Sequence, residues 1–231
     1  MNTLQGKTVL LTRSAVDTQE LREALTARGA EVLSVPTIAQ EPAWTPQDAA
    51  HVMARLPQTA WVAFCSRNAV RFFCQAVSGP IAARLAAIGP GTAAELRLRL
   101  RAPDLVAAIS TAEGLAEALL QQAPHGEILL PQAEQGRPAL RQILTDAGLS
   151  VRPFVVYRTV SLLGVACPAA DVIVLTSPSC VRGLTHVPEG AQIITMGATT
   201  SAAAKSHGLS VAHEAFPHTL QGLVAAVERA C

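Results

Sequence analysis

Gly89-Pro90-Gly91-Thr92, followed by Thr111-Ala112-Glu113-Gly114-Leu115, is written a second time as Gly197-Ala198-Thr199-Thr200, followed by Thr219-Leu220-Gln221-Gly222-Leu223. Gly89, Thr92, Thr111, Gly114, Leu115 and Ala118 each stand 108 positions before an identical residue, with no gap between them. Two other segments also occur twice. The apolar runs Trp61 to Cys65 and Val172 to Thr176 each end in a serine, Ser66 or Ser177, and a Val-Arg pair follows (Val70-Arg71, Val181-Arg182). Val9-Leu10-Leu11 with Leu21, Arg22, Leu25 and Gly29 recurs 119 residues on as Ile128-Leu129-Leu130 with Leu140, Arg141, Leu144 and Gly148. A period of about 110 residues is that of a duplicated domain, since solenoid repeats are far shorter.

Each repeated segment reads as strand, polar turn, amphipathic helix. Val9 to Thr12 is a continuous apolar run, after which Leu21, Ala24, Leu25 and Arg28 follow helical spacing to a stop at Gly29. Ser66 and Ser177 stand where a helix N-cap would, and the Gly89 and Gly197 segments lie between a strand and an Ala-rich helix. Arg99-Leu100 replaces the His207-Gly208 stop of the second copy, so the helix from Ala93 is expected to run on toward Pro103. Strand-helix alternation of this kind implies parallel sheets flanked by helices, whose ligands bind beyond the carboxyl ends of the strands. Pro36, Pro42 and Pro46 break the first half, and Val160 to Pro168 breaks the second; both read as hinge regions.

With 50% hydrophobic and 15% charged residues, the chain reads as a compact soluble protein. No apolar run reaches a membrane span and the N-terminus has no signal-peptide core, so a cytoplasmic location is expected. Five scattered cysteines without a CxxC read as free thiols, and six histidines without an HExxH imply no metal. A net charge of +1 argues against a nucleic-acid partner. Gly89-Pro90-Gly91 lacks the third glycine of a dinucleotide fingerprint, and no P-loop GKS or GKT occurs.

Several motifs together resemble the uroporphyrinogen-III synthase family over essentially the full length. They are Val9-Leu10-Leu11-Thr12-Arg13, Phe64-Cys65-Ser66-Arg67-Asn68-Ala69-Val70, Ala87-Ile88-Gly89-Pro90-Gly91-Thr92-Ala93, Ala112-Glu113-Gly114-Leu115-Ala116, Val156-Tyr157-Arg158-Thr159, Leu175-Thr176-Ser177-Pro178-Ser179 and Met196-Gly197-Ala198-Thr199-Thr200. Each is weak alone; their order and spacing carry the resemblance. It implies an α/β protein of two similar domains, each a parallel sheet flanked by helices, joined by a two-stranded linker with the active site in the interdomain cleft. The expected boundaries are 1–37 with 163–231 for the first domain, 43–155 for the second, and 38–42 with 156–162 for the linker. The implied activity is closure of hydroxymethylbilane, a linear tetrapyrrole, to uroporphyrinogen III with inversion of the last pyrrole and loss of water. That would make the protein a hydro-lyase of haem biosynthesis, working as a monomer without cofactor or metal.

The substrate carries eight carboxylates, yet this chain is nearly neutral, so bulk charge is not the means of recognition. Helix N-termini bind anions through free N-H groups and a positive dipole end. Ser66, Thr92, Ser177, Thr199 and Thr200 all stand at expected strand-to-helix turns, where the pattern alone equally fits ordinary N-caps. The resemblance implies that they line the substrate cleft, with Asn68 in place of a basic residue found in some relatives. Arg13, at the end of the first strand, suits a bidentate carboxylate contact or a solvated surface position. Arg137 is a weaker carboxylate candidate, while Arg71 and Arg182 read as ion-pair or surface residues and Lys205 as a solvated lysine. Tyr157, the only tyrosine, fits either a half-buried strand residue or a proton donor, because a phenol ordinarily keeps its proton at neutral pH. The resemblance makes it the leading acid for the departing hydroxyl. A non-catalytic two-domain module that closes on an anionic small molecule is the alternative; turnover of hydroxymethylbilane separates the two.

Overall fold

A computed structural model describes residues 3–15, 17–122, 125–162, 164–165 and 167–231. The expected domain starts at 1 and 163, and parts of the Val160 to Pro168 break, therefore lie outside the described residues. The elements run β1 (Thr8–Leu11), α1 (Gln19–Thr26), β2 (Glu31–Ser34), β3 (Ile38–Pro42), α2 (Pro46–Arg55), β4 (Thr59–Phe64), α3 (Arg67–Ala76), β5 (Arg84–Ala87), α4 (Pro90–Arg99) and β6 (Leu105–Val106). They continue with α5 (Ala112–Gln121), β7 (Glu127–Ala133), α6 (Ala139–Asp146), β8 (Val151–Ser161), β9 (Val172–Leu175), α7 (Pro178–Arg182), β10 (Gln192–Thr195), α8 (Ala198–Ser206), β11 (Val211–Glu214) and α9 (Leu220–Ala230).

The chain divides into two compact units, residues 1–39 with 159–231, and residues 40–158. In the first unit the strand order is β11-β10-β9-β1-β2, and in the second β3-β8-β7-β4-β5-β6. β1 and β7 come from one repeated segment, β9 and β4 from another, and β10 and β5 from the third. Read from β2 and from β8, the two orders are therefore the same, and each unit draws its segments from both copies. All pairs among these repeated strands are parallel.

Periodicity explains the layers. Along β9, Val172 and Val174 enter one apolar cluster while Ile173 and Leu175 enter the opposite one. In β4, Val62 and Phe64 face one cluster and Trp61 and Ala63 the other. Strands buried on both faces read as unbroken hydrophobic runs, which is how these segments appear in the sequence. Residues 38–42 form β3, and residues 156–161 are the end of β8. Ala43 N donates to Val156 O at 3.3 Å and Leu162 N to Thr37 O at 2.9 Å, so these stretches run in opposite directions.

The repeated Thr-x-x-Gly has a steric cause. Thr111 and Thr219 cap α5 and α9, accepting from Gly114 N at 3.0 Å and Gly222 N at 3.2 Å. Each threonine amide also donates back to a loop carbonyl, Ile109 O at 2.8 Å and Pro217 O at 2.7 Å. Those carbonyls lie against the helix start, where a Cβ on Gly114 or Gly222 would collide with them. Only glycine fits both copies.

One expectation is corrected: α4 does not continue to Pro103 but stops at Arg99. Leu100 leaves helical geometry, and Arg101 turns to Ala83 O at 2.7 Å and Asp104 Oδ2 at 2.8 Å, fixing the chain for β6 without a glycine.

Candidate functional site

In the unit of residues 40–158, Ser66 follows β4 and caps α3, its hydroxyl accepting from Ala69 N at 3.0 Å. Tyr157 lies on β8, half-buried, its ring stacked on Phe72 at 5.2 Å and 19°. Its carbonyl accepts from Glu134 N at 2.8 Å, which fixes the backbone next to the end of β7. Ser66 and Tyr157 line one cavity of about 190 Å³, together with Cys65, Leu130, Gln132 and Arg137 among others. The lining is mainly apolar, with Ser66, Gln132, Arg137 and Tyr157 as its polar residues. Arg137 is exposed and makes no ion pair among the described residues. Burial pushes the Cys65 thiol up to about 11, which favours its protonated form at neutral pH.

Thr92 sits elsewhere in this unit. It is inside the first turn of α4, 5% exposed, with Gly89 as the N-cap, and it is not among the residues lining the cavity. Arg71 pairs with Glu95 at 3.0 Å and also donates to Asn68 Oδ1 at 3.3 Å, so both residues belong to the α3–α4 packing.

In the unit of residues 1–39 and 159–231, Arg13 lies just beyond β1 and places Nη2 3.7 Å from Asp17 Oδ2. Ser177 is the N-cap residue of α7, yet its hydroxyl meets Cys180 Sγ at 3.3 Å and makes no capping bond to the backbone. Thr199 and Thr200 occupy the first turn of α8, after the N-cap Gly197; Thr199 is exposed and Thr200 is 2% exposed. As N-caps, then, Thr92, Thr199 and Thr200 are corrected: glycine holds that place in both copies, and at Gly89 a Cβ would collide with Ser110. Around α8 a polar chain links Thr195, Ser201, Glu214 and His218, with Thr195 Oγ1 2.7 Å from Ser201 Oγ and His218 Nε2 3.4 Å from Glu214 Oε1.

Every expected site residue except Tyr157 falls at the carboxyl end of a central strand or in the first turn beyond it. They form two sets, Ser66, Thr92 and Tyr157 in one unit and Arg13, Ser177, Thr199 and Thr200 in the other. Cys65 and Gln132 were not singled out from the sequence. The repeat could have found them: Gln132, near the end of β7, stands at the repeat position of Arg13 just beyond β1, and Cys65 follows β4 as Thr176 follows β9. Among the described residues, no cluster of three or more His, Cys, Asp or Glu could hold a metal ion, and no helix is long and apolar enough to cross a membrane.

The profile of the family described as uroporphyrinogen-III synthase HemD matches residues 19–225. A relative, uroporphyrinogen-III synthase of Synechococcus elongatus, is 27% identical over 255 aligned positions that cover 98% of this chain and 96% of the relative. Among solved structures, uroporphyrinogen-III synthetase from Helicobacter pylori is 14% identical, covers 96% of this chain and 98% of its own, and superposes with a TM-score of 0.60. A mutant uroporphyrinogen III synthase from Thermus thermophilus is 19% identical, covers 97% and 98%, and gives a TM-score of 0.55. At these identities the solved structures establish the shared fold.

Proposed function

Because the chain belongs to the uroporphyrinogen-III synthase family, it is an enzyme that cyclises hydroxymethylbilane to uroporphyrinogen III, and we propose the following roles for its residues. Tyr157 donates the proton that leaves with the hydroxyl, since the reaction must expel a poor leaving group from the terminal pyrrole. The substituted carbon of the last ring attacks the methylene of the resulting azafulvene, and a spiro intermediate carries the inversion. Loss of water on ring closure places the reaction with the hydro-lyases. The observation that carries this reading is that Tyr157 and the α3 cap Ser66 line one largely apolar cavity, where a pyrrole face and a proton donor meet.

Recognition of the carboxylates falls to Arg13, Ser66, Thr92, Ser177, Thr199 and Thr200, with Arg137 at the cavity supplying a cation. Two of these six residues are N-caps and three stand in the first turns of helices, which supports anion binding by N-H groups and dipole rather than by net charge. We further propose that the protein works as a monomer in the cytoplasm, with hydroxymethylbilane as substrate and neither nucleic acid nor membrane as partner. Incubating the purified protein with hydroxymethylbilane and analysing the oxidised product tests the reaction. Isomer III is expected; isomer I alone, the spontaneous product, would refute it.

A further inference from the structure

Among the described residues, four buried side-chain polar atoms lack a hydrogen-bond partner: Arg13 Nε, Trp44 Nε1, Arg152 Nη2 and Thr176 Oγ1. Two of them, Arg13 and Thr176, end neighbouring strands of one unit. β1 and β9 pair in register with Leu11 opposite Val174, and two residues further along each chain stand Arg13 and Thr176. The hydroxyls around them are already engaged: Thr12 donates to Val174 O at 2.8 Å, and Ser177 meets the buried Cys180 thiol at 3.3 Å. Asp17 lies by Arg13 Nη2 and leaves Nε without a partner.

Buried polar atoms in folded proteins are nearly always hydrogen-bonded, because an unmet one carries its full desolvation cost. Two orphans at the carboxyl edge of one central strand pair therefore call for a shared explanation. Both can donate, one from a guanidinium N-H and one from a hydroxyl, and a carboxylate only accepts. The repeat adds an independent observation. Gln132 and Cys65, the residues at the matching places of the other unit, both line its cavity.

We infer that Thr176 and Arg13 together bind one carboxylate arm of the tetrapyrrole, with Thr176 supplying a hydroxyl at this strand end beside Ser177. The assignment rests on the proposed reaction and adds a substrate contact to it. Asp17 acts as a positioning residue that holds the guanidinium while leaving Nε for the ligand.

The test is Thr176→Val, which keeps the shape of the side chain and removes only the hydroxyl. An orphan hydroxyl is no part of the free protein's hydrogen bonding, so the variant melts at the wild-type temperature or above it. Its KM for hydroxymethylbilane rises about tenfold or more, as loss of a hydrogen bond to a charged group implies, while kcat stays within about twofold. Thr176→Ser restores KM. Arg13→Gln raises KM as well, and the double variant falls short of the product of the two single effects because both donors serve one carboxylate. A Thr176→Val protein with wild-type KM overturns the assignment, and so does one that melts lower because the hydroxyl was holding the fold. Isomer III from the wild-type protein is scored separately, so failure of the reaction and failure of this contact are distinguishable.

Discussion

Tyr157 owes its place to its ring, and its proposed role to its hydroxyl. The ring stacks on Phe72 and packs against the apolar cluster of α3, and Tyr157→Phe keeps both contacts. The variant is expected to melt within a few degrees of wild type while kcat falls about 10²-fold to 10⁴-fold, the usual contribution of a general acid. Turnover at the wild-type rate in a folded Tyr157→Phe protein would remove it from the mechanism. At this scale the sequence was partly legible. The serine after an apolar run marks a strand-to-helix junction, and Ser66 and Ser177 are both N-cap residues. Thr92 and Thr200 look similar in sequence yet lie inside the first turn, because Gly89 and Gly197 hold the cap positions, Gly89 where a Cβ would collide with Ser110. Thr176 was read only as the end of a strand, since the absence of a partner is a property of neighbours brought together by folding.

The start of α9 and the contact between α3 and α4 show how much an element depends on one group. A Cβ on Gly222 would collide with Pro217 O and lie 2.9 Å from Phe216 C, and the loop cannot retreat without breaking the Thr219 N to Pro217 O bond. Gly222→Ala is therefore expected to destabilise the protein by about 1–3 kcal/mol in denaturant titration. Gly91→Ala is its control: the new Cβ would lie 3.8 Å from Arg67 Nε, an ordinary contact, and alanine in a helix gains up to about 1 kcal/mol. Glu95 on α4 is buried between Arg71 at 3.0 Å and Arg99 at 2.5 Å. Burial works to raise its pKa, but hydrogen bonds and charge from the two arginines outweigh it and hold the carboxyl below the ordinary value of 4.5. A lowered folded pKa gives stability that is present above about pH 4.5 and is lost as pH falls through the folded value. Glu95→Gln should cost about 3 kcal/mol at neutral pH and melt with a shallower dependence on acid than wild type. Equal slopes below pH 4.5 would show that Glu95 does not carry the acid sensitivity. Arg71 reads from the sequence as an ion-pair or surface residue, but its partner is not legible there, because Glu95 lies on another helix whose packing against α3 neither segment announces.

Across the whole molecule, the repeat was the most legible feature and also the one with the largest physical consequence. It fixed which strands are equivalent, and the two sheets share one order from β2 to β11 and from β8 to β6. What a repeat cannot announce is where the chain crosses between units, since the pairing of β1 with β9 joins Val9 to Val172, far apart in the chain. That crossing divides the units in folding. Residues 40–158 are continuous, and their two apolar clusters draw every buried member from within that span. In the other unit, β1 is central between β9 and β2, and its Val9 and Leu11 share a cluster with Val172 and Val174. A fragment of residues 159–231 therefore lacks seven of the fifteen buried residues of that cluster and exposes the edge of β9, and it should remain unfolded by circular dichroism. Residues 40–158 alone should melt cooperatively, because the fragment keeps its whole core. Adding a peptide of residues 1–39 to the 159–231 fragment should restore structure in a concentration-dependent way, as a bound partner stabilises only the folded form. If 159–231 folds unaided, the long-range pairing of β1 is dispensable and the crossing does not set the order of assembly. If it folds only with the peptide, the first unit waits on both chain ends while the second forms first, which suits a topology rich in distant contacts.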